Sequence, residues 1–454
     1  LRKINIEQFA KICQGDLSYA DGTALITGFA LDHREVKPGN VFLAIKGAKV
    51  DGRSFAKKAL EAGAVAVLSE CLIEGPHIKV PSLVEALAEF GRRIRKDFVG
   101  PVIGITGSNG KTSTKEFTAT TLSPLGPVLK SEGNKNTEYT SPLLWADLED
   151  NHQAVVVEFA MRGFRQIRHL ASISCPTIGV ITMIGNAHLE MVGSREGIMK
   201  AKAEIFDYLP ADGTAILWAE DDYRNDLVKR APCPVRTFGL GEEAECRILC
   251  YKALDWNRCQ IRGILDGQSF ESELPIIGRH QALNAAAAIL VAHTLGVDIQ
   301  RAAEKLSCAK FPPLRMEIKK YKGATILLDT YNASPDSTVA AIRTFAELPA
   351  RGRKFFVFGT MVELGDVLES GYRRVGTALG EYPPDGVILL NGDSSLYTYN
   401  EALRAGYPSA WIQKNKTLEE ITSFLKDLRE GDVVLMKASR LVGLEKALEA
   451  GFSC

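Results

Sequence analysis

The sequence predicts an α/β protein of three domains, and three observations carry that prediction. Short apolar, β-branched runs alternate with helix-patterned segments through most of the chain, as mostly parallel sheets covered on both faces require. One of these runs, Val102 to Thr106, breaks into Gly107 and Gly110 and then into Lys111-Thr112 at the head of a helical pattern. Pro312-Pro313 interrupts the alternation before a second set of strand runs begins. The organisation read from these is a small α/β N-terminal domain over residues 1–81, a central domain with a phosphate loop and a mostly parallel sheet over 82–312, and a C-terminal Rossmann-like α/β domain over 313–454. A chain of 454 residues is long enough for about three domains of usual size.

In the first domain, Ile6 to Cys13 has helical spacing, Val41 to Ile45 follows the Pro38-Gly39 turn as a strand, and Phe55 to Ala62 is an amphipathic helix before a second strand at Val65 to Leu68. Asp32-His33-Arg34, Lys46-Gly47 and Asp51-Gly52 lie in loops, where solvated side chains are the ordinary reading and a polar ligand the functional one. A helix over Ser82 to Phe98 leads into the glycine-rich stretch. Strand runs then recur at Ala154–Phe159, Thr177–Thr182 and Thr214–Trp218, with a helical pattern at Gly197–Tyr208, a hairpin extension within Arg247–Leu274 and a tightly packed helix over Gly278–Leu295. The last domain repeats the alternation at Ala324–Asp329, Lys354–Phe358, Gly386–Leu390 and Asp432–Met436.

Composition excludes several function classes. Lys+Arg and Asp+Glu balance at 55 each, so no basic field points to nucleic acid or an anionic membrane. The apolar runs are strand-sized, too short to span a bilayer, and the N-terminus lacks the apolar core of a signal peptide. Nine scattered cysteines fit no zinc spacing. The expectation is a cytoplasmic chain whose thiols are reduced and mostly buried.

Strand, glycine turn, Lys-Thr and helix form the arrangement that cradles phosphate. Glycines let backbone N–H groups turn inward, the helix N-terminus adds positive potential, and Lys111 supplies a full charge. Gly107, Ser108, Asn109, Gly110, Lys111, Thr112 and Ser113 are therefore the candidate nucleotide contacts, with the Thr112 hydroxyl placed for Mg²⁺. The spacing departs from the common form, because Ile105 stands where the first glycine is expected. Glu158, at the end of the next apolar strand, is placed on the same rim as a second Mg²⁺ ligand, against the alternative of an ion pair with Arg162. His188 follows the strand after that, in a Gly-Asn turn. Lys200 and Lys202 read as solvated helix charges. Asp329, Tyr331 and Asn332 sit in a loop suited to a base or ribose, and Arg315 and Lys437-Ala438-Ser439-Arg440 are further phosphate or carboxylate contacts. For these loop residues a solvated role is equally compatible with the sequence.

Together these residues resemble the Mur ligase family of ATP-dependent amide-forming enzymes. Thr106-Gly107-Ser108-Asn109-Gly110-Lys111-Thr112-Ser113 is similar to the family's own phosphate loop, which accounts for the spacing. Asp329 to Pro335, Gly359 to Gly365, Lys437 to Arg440 and the early block Val36 to Phe42 match the branch that joins D-alanyl-D-alanine to UDP-N-acetylmuramoyl-tripeptide. The resemblance implies ATP and Mg²⁺ as cofactors and that nucleotide precursor and dipeptide as partners, with either diaminopimelate or lysine as the third peptide residue. A monomer is expected, although the sequence itself does not fix the oligomeric state. Lys111, Lys202 and His188 become catalytic candidates, Glu158 a ligand of one Mg²⁺, His188 a ligand of a second, and Lys202 a carbamate that ligates a cation. Asn284, Arg315 and Asp329 become contacts to ATP. His280-Gln281, Asp32-His33-Arg34, Asn134 to Thr140 and Lys437-Ala438 depart from the family pattern. Two other readings fit the same loop: a related ligase with a different peptide substrate, and a P-loop NTPase or regulator that performs no ligation.

Overall fold

The computed structural model describes residues 3–47, 50–186 and 189–452. Three sheets organise them. The first runs Asp16–Ser18, His77–Lys79, Ala66–Ser69, Asn40–Leu43, Gly28–Ala30, with only the Asp16–Ser18 pairing antiparallel. The central sheet has nine strands. Its phosphate-loop strand, Val102–Thr106, lies between Ile178–Ile181 and Ala154–Glu158, parallel to both. The third sheet has six strands, parallel except for Glu317–Tyr321 at one edge.

All five residues of Val102–Thr106 and all five of Ala154–Glu158 are buried, which is why these strands read as continuous apolar runs rather than alternating ones. Glu158 is the exception inside that pattern, and it falls at the carboxyl end where ligands of open parallel sheets collect. Opposite the sheet, the helix Arg279–Thr294 packs on the phosphate-loop helix Lys111–Thr121. Its run Ala285 to Ala288 is fully buried, and the small side chains let the helices come close enough for Thr121 Oγ1 to donate to Ala288 O at 3.3 Å. The same close approach carries Asn284 to the phosphate loop.

Two segments differ from the sequence reading. Residues 246–274 form a three-strand antiparallel meander, Cys246–Ala253, Cys259–Leu265 and Gln268–Leu274, joined to the parallel sheet through Val235–Gly239, rather than a hairpin alone. The pattern over Gly197–Tyr208 is an α-helix, Arg195–Lys202, followed by a 3₁₀ segment, Ala203–Tyr208; the helix starts earlier because Ser194 caps it by accepting from Gly197 N at 3.0 Å. Short edge strands such as Asp16–Ser18 and Val128–Lys130 carry too few residues for a periodic signal. The eight described cysteines are free, but Cys71, Cys175 and Cys308 are exposed and only Cys13, Cys246 and Cys259 are buried, against the expectation of mostly buried thiols.

Candidate active site

The phosphate loop needs glycine for two separate reasons. Gly107 and Gly110 adopt φ of 147° and 85°, and a Cβ on either would meet Thr182 Oγ1 at 1.8 Å or Asn284 Oδ1 at 2.5 Å. The loop is pinned to its neighbour strand end, with Ser108 N donating to Met183 O and Gly185 N donating to Ser108 Oγ, both at 2.9 Å. Gly110 opens the helix, so the first-turn N–H groups at Lys111 to Ser113 face the loop as a ready anion site. Lys111 folds back over it, donating to Gly107 O at 2.9 Å. Burial pushes its amine below the usual lysine range, with Glu158 opposing the shift and Arg315 adding to it.

Glu158 is 2% exposed. Its Oε1 accepts from Asn136 Nδ2 at 2.9 Å, while Oε2 is buried with no hydrogen-bond partner. Arg162, the alternative ion-pair partner, instead lies 3.6 Å from Glu363. The nearest cation to Glu158 is one that the sequence reading passed over. Lys115, four residues after Lys111 on the inward side of the same helix, is fully buried, donates to Ser131 O at 2.6 Å and stands 3.8 Å from Glu158 Oε2. Its position four residues on from Lys111, one helical turn, was the available clue. Asn136 lies inside the departing run Asn134 to Thr140, so that run keeps at least one polar contact to the site.

The two helix lysines separate completely. Lys200 is exposed and pairs with Glu196 at 2.6 Å, as a solvated helix charge does. Lys202 is 1% exposed, donates to Gly107 O at 2.9 Å, and its amine is driven well below the ordinary lysine value by burial and then by Lys111. The solvated reading is thereby corrected for Lys202. His188 lies outside the described residues. Among those described, no group of three or more His, Cys, Asp or Glu is arranged to hold a metal. The fit to a hard cation rests instead on the Glu158 Oε2, which accepts no hydrogen bond and has only the Lys115 ammonium at 3.8 Å, and on the Thr112 hydroxyl.

The third domain closes directly on this loop. Arg315 Nη2 donates to Thr112 Oγ1 at 3.0 Å while its guanidinium lies 4.2 Å from the centre of the Tyr331 ring. Ser334 Oγ donates to Asn109 Oδ1 at 3.1 Å, and Asn186 N donates to Asp336 Oδ2 at 3.2 Å. Asp329 and Lys437 end adjacent parallel strands in register and pair at 2.6 Å; Lys437 also donates to the Asn332 carbonyl at 2.8 Å. Asn284 accepts from Thr114 Oγ1 and donates to Gln281 Oε1, and Gln281 Nε2 lies 3.2 Å from His280 Nε2. Burial pushes the His280 imidazole down to about 4, with Asp329 opposing and Lys437 assisting. In the first domain, Arg34 is engaged by Asp32, and the His33 ring stacks on Phe55 with centroids 4.3 Å apart.

The comparisons with known proteins agree along the whole chain. Sequence models of the Mur ligase middle domain, the Mur ligase glutamate ligase domain and the Mur ligase family catalytic domain match residues 105–292, 314–440 and 25–95. The UDP-N-acetylmuramoyl-tripeptide–D-alanyl-D-alanine ligases of Synechocystis sp. and Bacillus subtilis are 34% and 31% identical, the alignments covering 98% of this chain in each case and 96% and 98% of theirs. MurF of Acinetobacter baumannii superposes with a TM-score of 0.88 at 26% identity, over 100% of both chains. The MurF ligase of Thermotoga maritima, solved in complex with ADP, gives a TM-score of 0.79 at 32% identity, covering 94% of this chain and 97% of its own. The chain belongs to the Mur ligase family and is similar to its MurF members from end to end.

Proposed function

We propose that the chain is an ATP-dependent ligase that joins D-alanyl-D-alanine to UDP-N-acetylmuramoyl-tripeptide in peptidoglycan synthesis. The full-length match to ligases of that name carries this reading, and the phosphate loop faced by a third domain supplies the machinery. A carboxylate is a poor electrophile because oxide is a bad leaving group. Passing the ATP γ-phosphoryl to it gives an acyl phosphate, which the dipeptide amine then attacks with phosphate as leaving group. Lys111 and the backbone N–H groups of the loop would neutralise charge on the moving phosphoryl, the main catalytic effect in such transfers. Arg315 reaches the same loop from the third domain and adds a second cation. Residues 1–81 are assigned to the UDP-sugar, 82–312 to ATP and 313–454 to closure, which excludes water from the acyl phosphate.

Thr112 and Glu158 would hold one Mg²⁺, and His188 with Lys202 a second; the Glu158 oxygen that accepts no hydrogen bond supports the first assignment. When bound, the ions supply charge neutralisation and orientation of the phosphates. Burial and then Lys111 both favour the neutral form of the Lys202 amine, which is the form that adds CO₂, and this supports a carbamate on Lys202. A cytoplasmic location and a monomer complete the reading. No helix among the described residues is long and apolar enough to cross a membrane. Mass spectrometry of the mixture of ATP, nucleotide tripeptide and dipeptide tests the reading: a nucleotide pentapeptide is the expected product, and its absence with intact substrates contradicts it.

A further inference from the structure

The segment 183–186 follows the strand Ile178–Ile181 and is held through its backbone on two sides. Ser108 N donates to Met183 O and Gly185 N to Ser108 Oγ, both at 2.9 Å, which fastens the segment to the phosphate loop. On the other side Ile184 N donates to Asp221 Oδ2 at 2.7 Å and Arg195 Nη2 to Ile184 O at 3.0 Å. A displacement of this segment is therefore passed to Ser108, inside the loop expected to hold phosphate. One of its donors is met from a distant part of the chain: Asn186 N donates to Asp336 Oδ2 at 3.2 Å.

Asp336 lies in the first turn of the helix Pro335–Glu347, within the stretch matched by the glutamate-ligase-domain model, whereas the segment 183–186 lies in the middle-domain stretch. The free N–H groups of a first helical turn favour a carboxylate there. The neighbouring helix Leu368–Glu381 adds a charge, with Arg374 Nη2 at 2.9 Å from Asp336 Oδ1. One carboxylate oxygen is thus fixed within its own part of the chain, and the other accepts from Asn186. Gly185 shows how close the approach is. Its backbone is outside the left-handed region, so conformation alone does not call for glycine. A Cβ there would nevertheless meet Asp336 Oδ2 at 2.7 Å, the flexible end of Met183 at 3.1 Å and Ser108 Cβ at 3.3 Å. The position is pinched between the phosphate loop and the helix that carries Asp336. Gly365 repeats the pattern farther along, where a Cβ would lie 2.8 Å from Glu190 Cα.

Arg315 and Ser334 reach Thr112 Oγ1 and Asn109 Oδ1, side chains of the phosphate loop that are expected to turn to the nucleotide. Asp336 instead meets a backbone N–H outside that loop, so its contact is compatible with bound nucleotide. Resting on the ligase reading above, we propose that Asp336 is a positioning residue. Its carboxylate, fixed by Arg374, latches the helix Pro335–Glu347 onto residues 183–186 and keeps the site shut while the acyl phosphate exists. Without the latch, water takes the place of the dipeptide amine at the acyl carbon. The bond from that carbon to the phosphate oxygen breaks, phosphate leaves and the starting carboxylate returns. ATP and water then become ADP and phosphate with no amide formed.

The test measures ADP and nucleotide pentapeptide in the same reaction, at saturating ATP, UDP-N-acetylmuramoyl-tripeptide and D-alanyl-D-alanine. The unmodified protein should form the two in equal amounts. Asp336→Ala should lower pentapeptide formation about tenfold, the scale of a lost hydrogen bond to a charged group, and should form ADP in excess of pentapeptide. Arg374→Met, which frees the carboxylate without removing it, should give a smaller excess. Gly185→Ala makes the same test from the other side and should also produce excess ADP. Combined with Asp336→Ala, it should form pentapeptide no more slowly than the slower single variant, because both changes break one contact. Equal amounts of ADP and pentapeptide in Asp336→Ala, at whatever rate, would overturn the latch and leave the ligase reading intact. Losses that multiply in the double variant would overturn it as well, since the two residues would then act independently. Absence of pentapeptide with the unmodified protein would remove the ligase reading and the latch with it.

Discussion

At the scale of single residues, the central contrast is between Lys200 and Lys202, two positions apart on one helix. Helical periodicity puts them on different faces, but periodicity alone does not say which face meets the phosphate loop, so the sequence offered both as solvated charges. Only the family resemblance separated them, and the structure shows the physical difference: one pairs with Glu196 in solvent, the other donates to Gly107 O with its amine buried. Lys202→Ala is expected to reduce turnover by at least about 100-fold, the scale of losing one charge-stabilising group, while far-ultraviolet circular dichroism stays unchanged; activity like the unmodified protein would remove Lys202 from the mechanism. The buried amine also opposes folding. Burial and Lys111 make the folded chain hold the Lys202 proton less tightly than the unfolded one, so stability rises with pH where the two differ. Lys202→Met should accordingly raise the thermal midpoint at neutral pH by about 2–4 °C, the shift that 1 kcal/mol gives in domains of 150–250 residues. His280 acts with the same sign lower down. Its imidazole takes a proton near 6.5 when unfolded and near 4 when folded, so its contribution is complete above 6.5 and is lost as pH falls from 6.5 to 4. A His280→Gln variant should lose less stability than the parent over that interval in thermal melts.

At the scale of elements, strand runs were legible where both faces are buried. An uninterrupted apolar stretch such as Ala154–Val157, three of its four residues β-branched, fits a doubly covered strand and is too short for a buried helix. The phosphate loop was legible for a different reason, its glycines. Short edge strands and the break after Lys202 were not, since three residues carry no period and a 3₁₀ continuation keeps nearly the same spacing as a helix. The network Thr114–Asn284–Gln281–His280 was equally invisible, because it depends on how closely two helices approach. That approach can be tested at Gly110. A methyl group there meets Asn284 Oδ1 and is held at positive φ, so Gly110→Ala should displace Asn284 and weaken ADP binding at least about tenfold, the scale of a buried group left unpaired, as read by calorimetry. Gly133→Ala, where a Cβ meets nothing within 4 Å but φ is also positive, controls for backbone strain alone.

At the scale of the whole molecule, the site is assembled from residues in the stretches matched by the middle-domain and glutamate-ligase-domain models, which are separate in sequence. Arg315, Ser334 and Asp336 reach the phosphate loop and its neighbour from the third domain, and none of the three contacts has a local sequence signature. What the sequence did supply was the set of chemically capable residues; which of them meet is set by the closure. A ligase that shields an acyl phosphate has reason to bring its domains together in this way, whereas a simple nucleotide hydrolase has no need of a second substrate to turn over. Coupled measurement of ADP release separates the two most directly. Release is expected to require UDP-N-acetylmuramoyl-tripeptide and D-alanyl-D-alanine together, with either one alone near background. ADP released at the full rate with both omitted would contradict the ligase reading.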